Sequence, residues 1–175
     1  MSLYYQKKKN NKTLIHMKNV TLESKVTQCQ MDELLSADRQ LVEKAMDATK
    51  NSYSPYSHFS VGACIRLDDG TEIIGANQEN AAFPVGLCAE RTAIFAAQAQ
   101  MPEKAIVAIA ISARNARDFV DDPISPCGSC RQVILEMEQR YKRPIRILLH
   151  GKSCVYVVDG IRNLLPLCFV EEAMK

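Results

Sequence analysis

The spacing of hydrophobic and polar positions changes along the chain, and it predicts both helices and strands. From Asp32 to about Asn51, apolar residues recur at helical spacing, which predicts an amphipathic helix. The stretches FSVGACIRL and TEIIGAN have the residue types of strands, and the DDG between them contains an Asp-Gly pair typical of a hairpin turn. The first half of the chain is therefore predicted to contain one helix and one antiparallel strand pair.

The second half of the chain is predicted to alternate between helices and strands. Helices are expected from about Cys88 to Gln100 and from about Gly128 to Arg140, with strands at AIVAIAISA, IRILLH and, as an edge strand, CVYVVDG. Because AIVAIAISA is almost entirely apolar and lies between two helices, both faces of the sheet should be covered. The pattern predicts an α/β fold, a three-layer α/β/α sandwich around a mixed sheet of about five strands.

The beginning of the chain differs from the rest in composition. Its first 28 residues are mostly polar, with Lys and Asn runs and no sustained period. We therefore expect residues 1–28 to be a flexible N-terminal extension and residues 29–175 to form one domain. Of the 175 residues, 47% are hydrophobic, which is enough to build a genuine core.

Charge and cysteine content narrow the possible classes of function. A net charge of +2, with one dense basic run at KKK, argues against a nucleic-acid groove. No segment reaches the roughly 18 apolar residues of a membrane span, and the N-terminus has no signal-like apolar stretch. We expect a cytoplasmic protein without nucleic-acid or membrane partners. Its seven cysteines, an odd number, favour metal binding or buried thiols over a disulfide framework.

Three cysteines have the spacing of a metal site. In PCGSCRQV, Cys127 and Cys130 enter a predicted helix and would lie on one side of its first turn. A lone C-x-x-C pair could equally be a redox pair, but Cys88 lies at a second predicted helix start and could complete a three-thiolate zinc site. Three ligands leave an open fourth position, as in catalytic zinc sites. The alternatives are three buried thiols or a structural zinc with a further cysteine ligand.

Two charged residues follow the first of these cysteines. Glu90 is placed in the first helical turn, where it could lean over the open position and act as a general acid and base. Arg91 could hydrogen-bond the thiolates and offset their charge. The simpler alternatives are a carboxylate that complements the helix dipole and a surface salt bridge. We interpret the remaining cysteines as structural, namely Cys29, Cys64, Cys154 and Cys168.

At the level of motifs, C-x-E followed by P-C-x-x-C matches the general signature of zinc deaminases. The segments SPYSHFSVGA, NQENAAFPVGLCAERTAI, ISPCGSCRQV and LLPLCF follow one another from Ser54 to Phe169. In these four segments the chain resembles the small, homotetrameric cytidine deaminases. The resemblance implies one zinc ion per subunit and hydrolytic deamination of cytidine and deoxycytidine to uridine, deoxyuridine and ammonia, in pyrimidine salvage.

The same resemblance implies roles for individual residues. Glu90 would move protons from water to ring N3 and then to the departing amine. Phe59 would pack near the pyrimidine, and the backbone amide of Ala89 would contact the base carbonyl. Asn77 and Glu79 would hydrogen-bond the ribose hydroxyls.

The resemblance also implies a homotetramer in which neighbouring subunits share their active sites. Phe83 and Phe169 are the candidates for such contacts, although both could simply be core aromatic residues. After LLPLCF the chain continues with VEEAMK, where the family commonly has a glycine-rich step. This departure concerns the contacts of the tail and leaves the expected chemistry unchanged.

Three other functions remain open at this point. The enzyme could act on a modified cytosine nucleoside, which would keep the zinc motif without requiring the SPYSHF and NQEN pair. It could edit nucleic acids, although the chain is not strongly basic. A non-catalytic zinc-binding module would have a closed coordination shell and no need for Glu90.

Overall fold

The structure is a computed structural model that describes residues 18–174. Its helices are α1 (Ser36–Ala48), α2 (Ala89–Gln100) and α3 (Gly128–Tyr141). Its strands are β1 (Thr27–Cys29), β2 (Ser60–Leu67), β3 (Glu72–Ala76), β4 (Ile106–Arg114), β5 (Arg146–His150) and β6 (Val155–Asp159). Residues 1–17 of the predicted N-terminal extension lie outside the described part, and the domain boundary at residue 28 stays a prediction.

All six strands form one mixed sheet in the order β1-β6-β5-β4-β2-β3. Strands β4 and β5 run parallel, and the other neighbours run antiparallel. The prediction that CVYVVDG is an edge strand was wrong, because β1 pairs with β6 on its outer side. Strand β1 has only three residues, TQC, and so short a segment shows no readable alternation.

Helices cover both faces of this sheet, which confirms the three-layer sandwich. On one face, Leu41 and Val42 of α1 pack in a cluster with Ala110 and Leu148 of the central strands. The opposite face carries α2 and α3 and buries a larger cluster that includes Ile94, Ile109, Ile111, Ile134 and Ile147. The central strand β4 therefore contributes to both cores, as its apolar sequence predicts.

The first predicted helix is shorter than the hydrophobic period suggests. The α-helix begins at Ser36 because Leu35 has an extended backbone, with ψ of 145°. Short 3-10 turns lie on either side, at Met31–Glu33 and Thr49–Asn51. Apolar spacing alone does not separate these turns from the helix between them.

The β2–β3 hairpin positions the beginning of α2. Gly70 turns the hairpin with a φ of +88°, a conformation that favours glycine. Farther along β3, a Cβ atom on Gly75 would lie 2.4 Å from the carbonyl oxygen of Ala89 and 2.5 Å from the amide nitrogen of Ala93. The absence of a side chain at Gly75 therefore allows the first turn of α2 to lie directly against the sheet.

No helix within residues 18–174 is long and apolar enough to cross a membrane.

Candidate active site

Three thiols meet where two helices begin. Cys88 is the N-cap residue of α2, Cys127 is the N-cap residue of α3, and Cys130 lies in the first turn of α3. The Sγ atom of Cys127 lies 3.8 Å from that of Cys88 and 3.5 Å from that of Cys130, and all three lie within 4.8 Å of one another. The structure thus brings together the cysteines that the sequence singled out.

The spacing of these sulfurs fits a zinc ion. A tetrahedral zinc with Zn–S bonds of about 2.3 Å holds its sulfur ligands about 3.8 Å apart. The thiol cluster consists of soft donors, which zinc accepts readily. The three thiols leave room in a tetrahedral shell for one more ligand on the side where Cys88 and Cys127 line a cavity.

Arg91 supplies positive charge next to the thiol cluster. Its Nη2 atom donates a hydrogen bond to the Sγ atom of Cys88 over 3.8 Å, and its Nε atom is buried without a hydrogen-bond partner. A hydrogen bond from the Cys130 thiol and the contact with Arg91 lower the pKa of Cys88 to about 5, against the opposing effect of burial. The cluster therefore favours the thiolate form at Cys88, which is the form that binds a metal.

Glu90 lies in the first turn of α2 and is only 4% exposed. It lines the same cavity as Cys88 and Cys127. Burial raises the pKa of its carboxyl group, and the neighbouring Cys88 acts in the same direction. A buried carboxyl group beside a cluster of three thiols is suited to proton transfer.

A cavity of about 730 Å³ extends from the thiol cluster. Its volume falls in the range of small-molecule binding sites. It is lined by eight of the residues predicted from the sequence, namely Phe59, Asn77, Glu79, Phe83, Cys88, Glu90, Arg91 and Cys127. The cavity therefore places the predicted sugar-binding and ring-packing residues in the same space as the candidate catalytic group.

Glu79 and Asn77 also hold the loop that forms one wall of the cavity. The Oε2 atom of Glu79 accepts hydrogen bonds from the backbone amides of Tyr56 and Ser57, over 2.9 and 3.2 Å. A side-chain hydrogen bond from Ser57 and the two amides lower the pKa of Glu79, so this carboxylate is readily ionised. The side chain of Asn77 accepts a hydrogen bond from the backbone amide of Val61 and donates one to the backbone carbonyl of Phe59.

The remaining predicted residues occupy different places. Ala89 is the buried first residue of α2, so its amide has no acceptor four residues earlier within the helix. Phe83 is 72% exposed, lines the cavity of its own chain and packs edge-to-face on Tyr56 at 5.6 Å. Phe169 is 61% exposed and is absent from the wall of that cavity.

Some cavity residues were not singled out by the sequence analysis. Tyr56 and Ser57 belong to the segment SPYSHFSVGA, and Ile124 and Ser125 precede PCGSC. These residues lie within the recognisable motifs, but nothing in their spacing indicates that their side chains or backbone face the site. Their place in the cavity wall depends on how the sheet and helices position the loops that carry them.

The fold and the site together define a three-layer α/β/α protein with a three-cysteine site suited to zinc. The family described as "Cytidine and deoxycytidylate deaminase zinc-binding region" matches residues 35–143. The chain therefore belongs to the cytidine and deoxycytidylate deaminase family.

Known relatives agree with this assignment. The chain is 46% identical to a cytidine deaminase of Halalkalibacterium halodurans over 57% of its own length and 72% of the relative. It is 41% identical to a cytidine deaminase of Sporosarcina psychrophila, over 77% and 93% of the two chains. Its fold resembles the crystal structure of a Burkholderia pseudomallei cytidine deaminase with a TM-score of 0.65 and 37% identity, over 74% and 97% of the chains. The predicted fold, enzyme class and zinc dependence are confirmed.

Proposed function

We propose that the protein hydrolyses the C4 amine of free cytosine nucleosides in pyrimidine salvage. Cytidine and water give uridine and ammonia, and deoxycytidine gives deoxyuridine in the same way. The observation that carries this proposal is the position of Glu90, buried beside three clustered thiols in a cavity that also exposes Asn77 and Glu79.

The metal centre would be built by Cys88, Cys127 and Cys130, with one zinc ion per subunit. When bound, zinc supplies Lewis-acid activation of a water molecule for attack at C4. Arg91 offsets part of the negative charge of the three thiolates through its hydrogen bond to Cys88.

Glu90 would carry the protons of the reaction. Its carboxylate takes a proton from the attacking water and delivers it to ring N3, and it then transfers the second proton to the departing amine. Glu90 gives up as many protons as it takes, so it returns to the carboxylate form before the next turnover. Its burial in the first turn of α2 raises the pKa of the carboxyl group, which suits a group that both takes up and returns protons.

The nucleoside would lie between the thiol cluster and the loop held by Glu79. Phe59 packs near the pyrimidine ring, and the unused amide of Ala89 donates to the base carbonyl. Asn77 and Glu79 bind sugar hydroxyls. Because Glu79 has a lowered pKa and remains ionised at neutral pH, it accepts hydrogen bonds from hydroxyls and repels a phosphate group placed nearby.

We also propose that the enzyme is a cytoplasmic homotetramer. Leu167 and Phe169 are 79% and 61% exposed in the isolated chain, and such apolar surface favours burial by another subunit. In this arrangement Phe169 would reach a neighbouring active site, whereas Phe83 could contact both its own cavity and that of a neighbour. Light scattering measures the mass of the particle and so tests the tetramer. If Phe169 contributes to a neighbouring site, Phe169→Ala should raise KM for cytidine. An active monomer would contradict the shared site.

A substrate panel tests the proposed function. Ammonia release is measured with cytidine, deoxycytidine, cytosine, CMP and a short single-stranded oligonucleotide at equal concentrations. We expect the two nucleosides to react and the charged substrates to be rejected. Cytosine should be poor because it has no sugar hydroxyls to bond Asn77 and Glu79. Faster reaction of CMP or the oligonucleotide would overturn the proposal. In the variant Glu79→Gln, which keeps the size and removes the charge, discrimination against CMP should weaken.

A further inference from the structure

The side chain of Asn77 has a defined orientation because two backbone groups hold it. Its Oδ1 atom accepts a hydrogen bond from the amide of Val61 over 2.8 Å, and its Nδ2 atom donates to the carbonyl oxygen of Phe59 over 3.0 Å. Exchanging the oxygen and nitrogen would place donor against donor and acceptor against acceptor. The Oδ1 atom of Asn77 is therefore an acceptor in all of its contacts.

Ser52 makes a third hydrogen bond with the Asn77 side chain, at the same Oδ1 atom that Val61 contacts. The Oγ atom of Ser52 lies 2.6 Å from Oδ1 of Asn77 and 3.1 Å from Oγ of Ser54, which lies 3.3 Å from Oγ of Ser60. Each hydroxyl has one proton to donate, and Oδ1 cannot donate. Ser52 therefore has one proton for two acceptors, and the shorter distance favours its bond to Asn77 over its bond to Ser54.

The three contacts of Asn77 determine which hydrogen bonds it can offer to a ligand. Val61 and Ser52 occupy both lone pairs of Oδ1, and Phe59 occupies one of the two protons on Nδ2. The second Nδ2 proton is the group that remains for the cavity that Asn77 lines. Two hydrogen bonds to the carbonyl also polarise the amide and strengthen its N–H groups as donors.

We propose that Ser52 is a positioning residue for sugar recognition, because its hydroxyl keeps Asn77 a hydrogen-bond donor toward the nucleoside. This inference rests on the proposed binding of the sugar by Asn77. Glu79, which is only an acceptor when ionised, complements Asn77 in the same cavity. A sugar hydroxyl can accept from one and donate to the other. Without Ser52, the carbonyl of Asn77 loses one of its two hydrogen bonds, so its remaining N–H becomes a weaker donor to the sugar.

The variants Ser52→Ala and Ser52→Thr test this role with two substrates, cytidine and 2′,3′-dideoxycytidine. The second substrate lacks the hydroxyls that Asn77 and Glu79 would bind. In Ser52→Ala, the ratio of kcat/KM for cytidine to kcat/KM for dideoxycytidine should fall by about 3- to 10-fold, the range expected for one neutral hydrogen bond. The loss should appear in KM more than in kcat, and Ser52→Thr, which keeps the hydroxyl, should restore the ratio.

Ser54→Ala is the matched control, because it removes the second acceptor of the Ser52 proton and leaves the bond from Ser52 to Asn77 in place. Its effect on the substrate ratio should be smaller than that of Ser52→Ala. If Ser52→Ala lowered kcat/KM equally for cytidine and dideoxycytidine, the loop would be generally disturbed and the inference would be overturned. If the wild-type protein does not deaminate cytidine, the proposed function fails first. If it does and the ratio in Ser52→Ala is unchanged, the inference alone fails.

Discussion

Cys88 and Cys127 are 39 positions apart in the chain, yet their Sγ atoms lie 3.8 Å apart because each residue immediately precedes a helix. The helices α2 and α3 lie on the same face of the sheet, and their first turns meet. The positive ends of both helices therefore point toward the thiol cluster, where they favour negatively charged sulfur. The site thus depends on how the sheet aligns two helix starts.

The variant Glu90→Gln should lose turnover and keep zinc. Glutamine preserves the size of the side chain but cannot take up and return a proton, so kcat should fall by about 10²- to 10⁴-fold. Steady-state kinetics with cytidine and zinc analysis of the same preparation check this. A variant with near-normal turnover would leave Glu90 with the simpler role of complementing the helix dipole.

The variant Cys127→Ala should lose zinc and stability together. Removing one of three thiolates leaves an incomplete ligand set, and metal binding contributes directly to the stability of the fold. Zinc stoichiometry and thermal unfolding are measured beside Cys168→Ala, a partly exposed cysteine outside the thiol cluster. A full equivalent of tightly held zinc in Cys127→Ala would show that the ligand set is wrong.

Arg91→Ala should weaken the metal centre without removing a ligand. Loss of the hydrogen bond to Cys88 leaves the thiolate charge less compensated, so zinc affinity or turnover should drop by about 10- to 100-fold. Competition with a zinc chelator measures the affinity. Arg91→Lys keeps the positive charge and loses the guanidinium geometry, so it separates the effect of charge from the effect of the hydrogen bond. Unchanged affinity and turnover in Arg91→Ala would support a surface role only.

His150 should make the stability of the protein depend on pH. It is buried, its Nδ1 atom lies 2.9 Å from Oγ of Ser112, and burial lowers its pKa below the ordinary value of 6.5. The unfolded chain therefore binds the proton first as the pH falls, so this contribution to stability is complete above pH 6.5 and decreases below it, by up to about 1.4 kcal/mol per pH unit.

Urea unfolding of the metal-free protein at pH 7.5 and 5.5 measures this dependence in wild type and in His150→Asn. Working without metal removes the contribution of zinc release at acidic pH. The variant should lose less stability than wild type between the two values. An identical loss in both proteins would exclude His150 as a source of the pH dependence.

The sequence predicted those parts of the fold whose patterns are long and regular. Helices α2 and α3, the hairpin around Gly70 and the apolar strand β4 lie close to their predicted positions. Strand β1 was missed because three residues carry too little pattern. The contacts of Ser52 could not be predicted, because they depend on where a loop brings its hydroxyl relative to Asn77.

The cysteines that begin α2 and α3 imply a compromise between stability and activity. Neither Cys88 nor Cys127 makes the side-chain hydrogen bond that an N-cap residue normally provides. Serine or aspartate at such a position typically stabilises a protein by about 1 kcal/mol relative to a residue that cannot cap. Both helices therefore give up optimal ends in order to present sulfur to a metal. Selection of this chain for thermostability alone, in the absence of zinc, would be expected to replace the two residues that its chemistry requires.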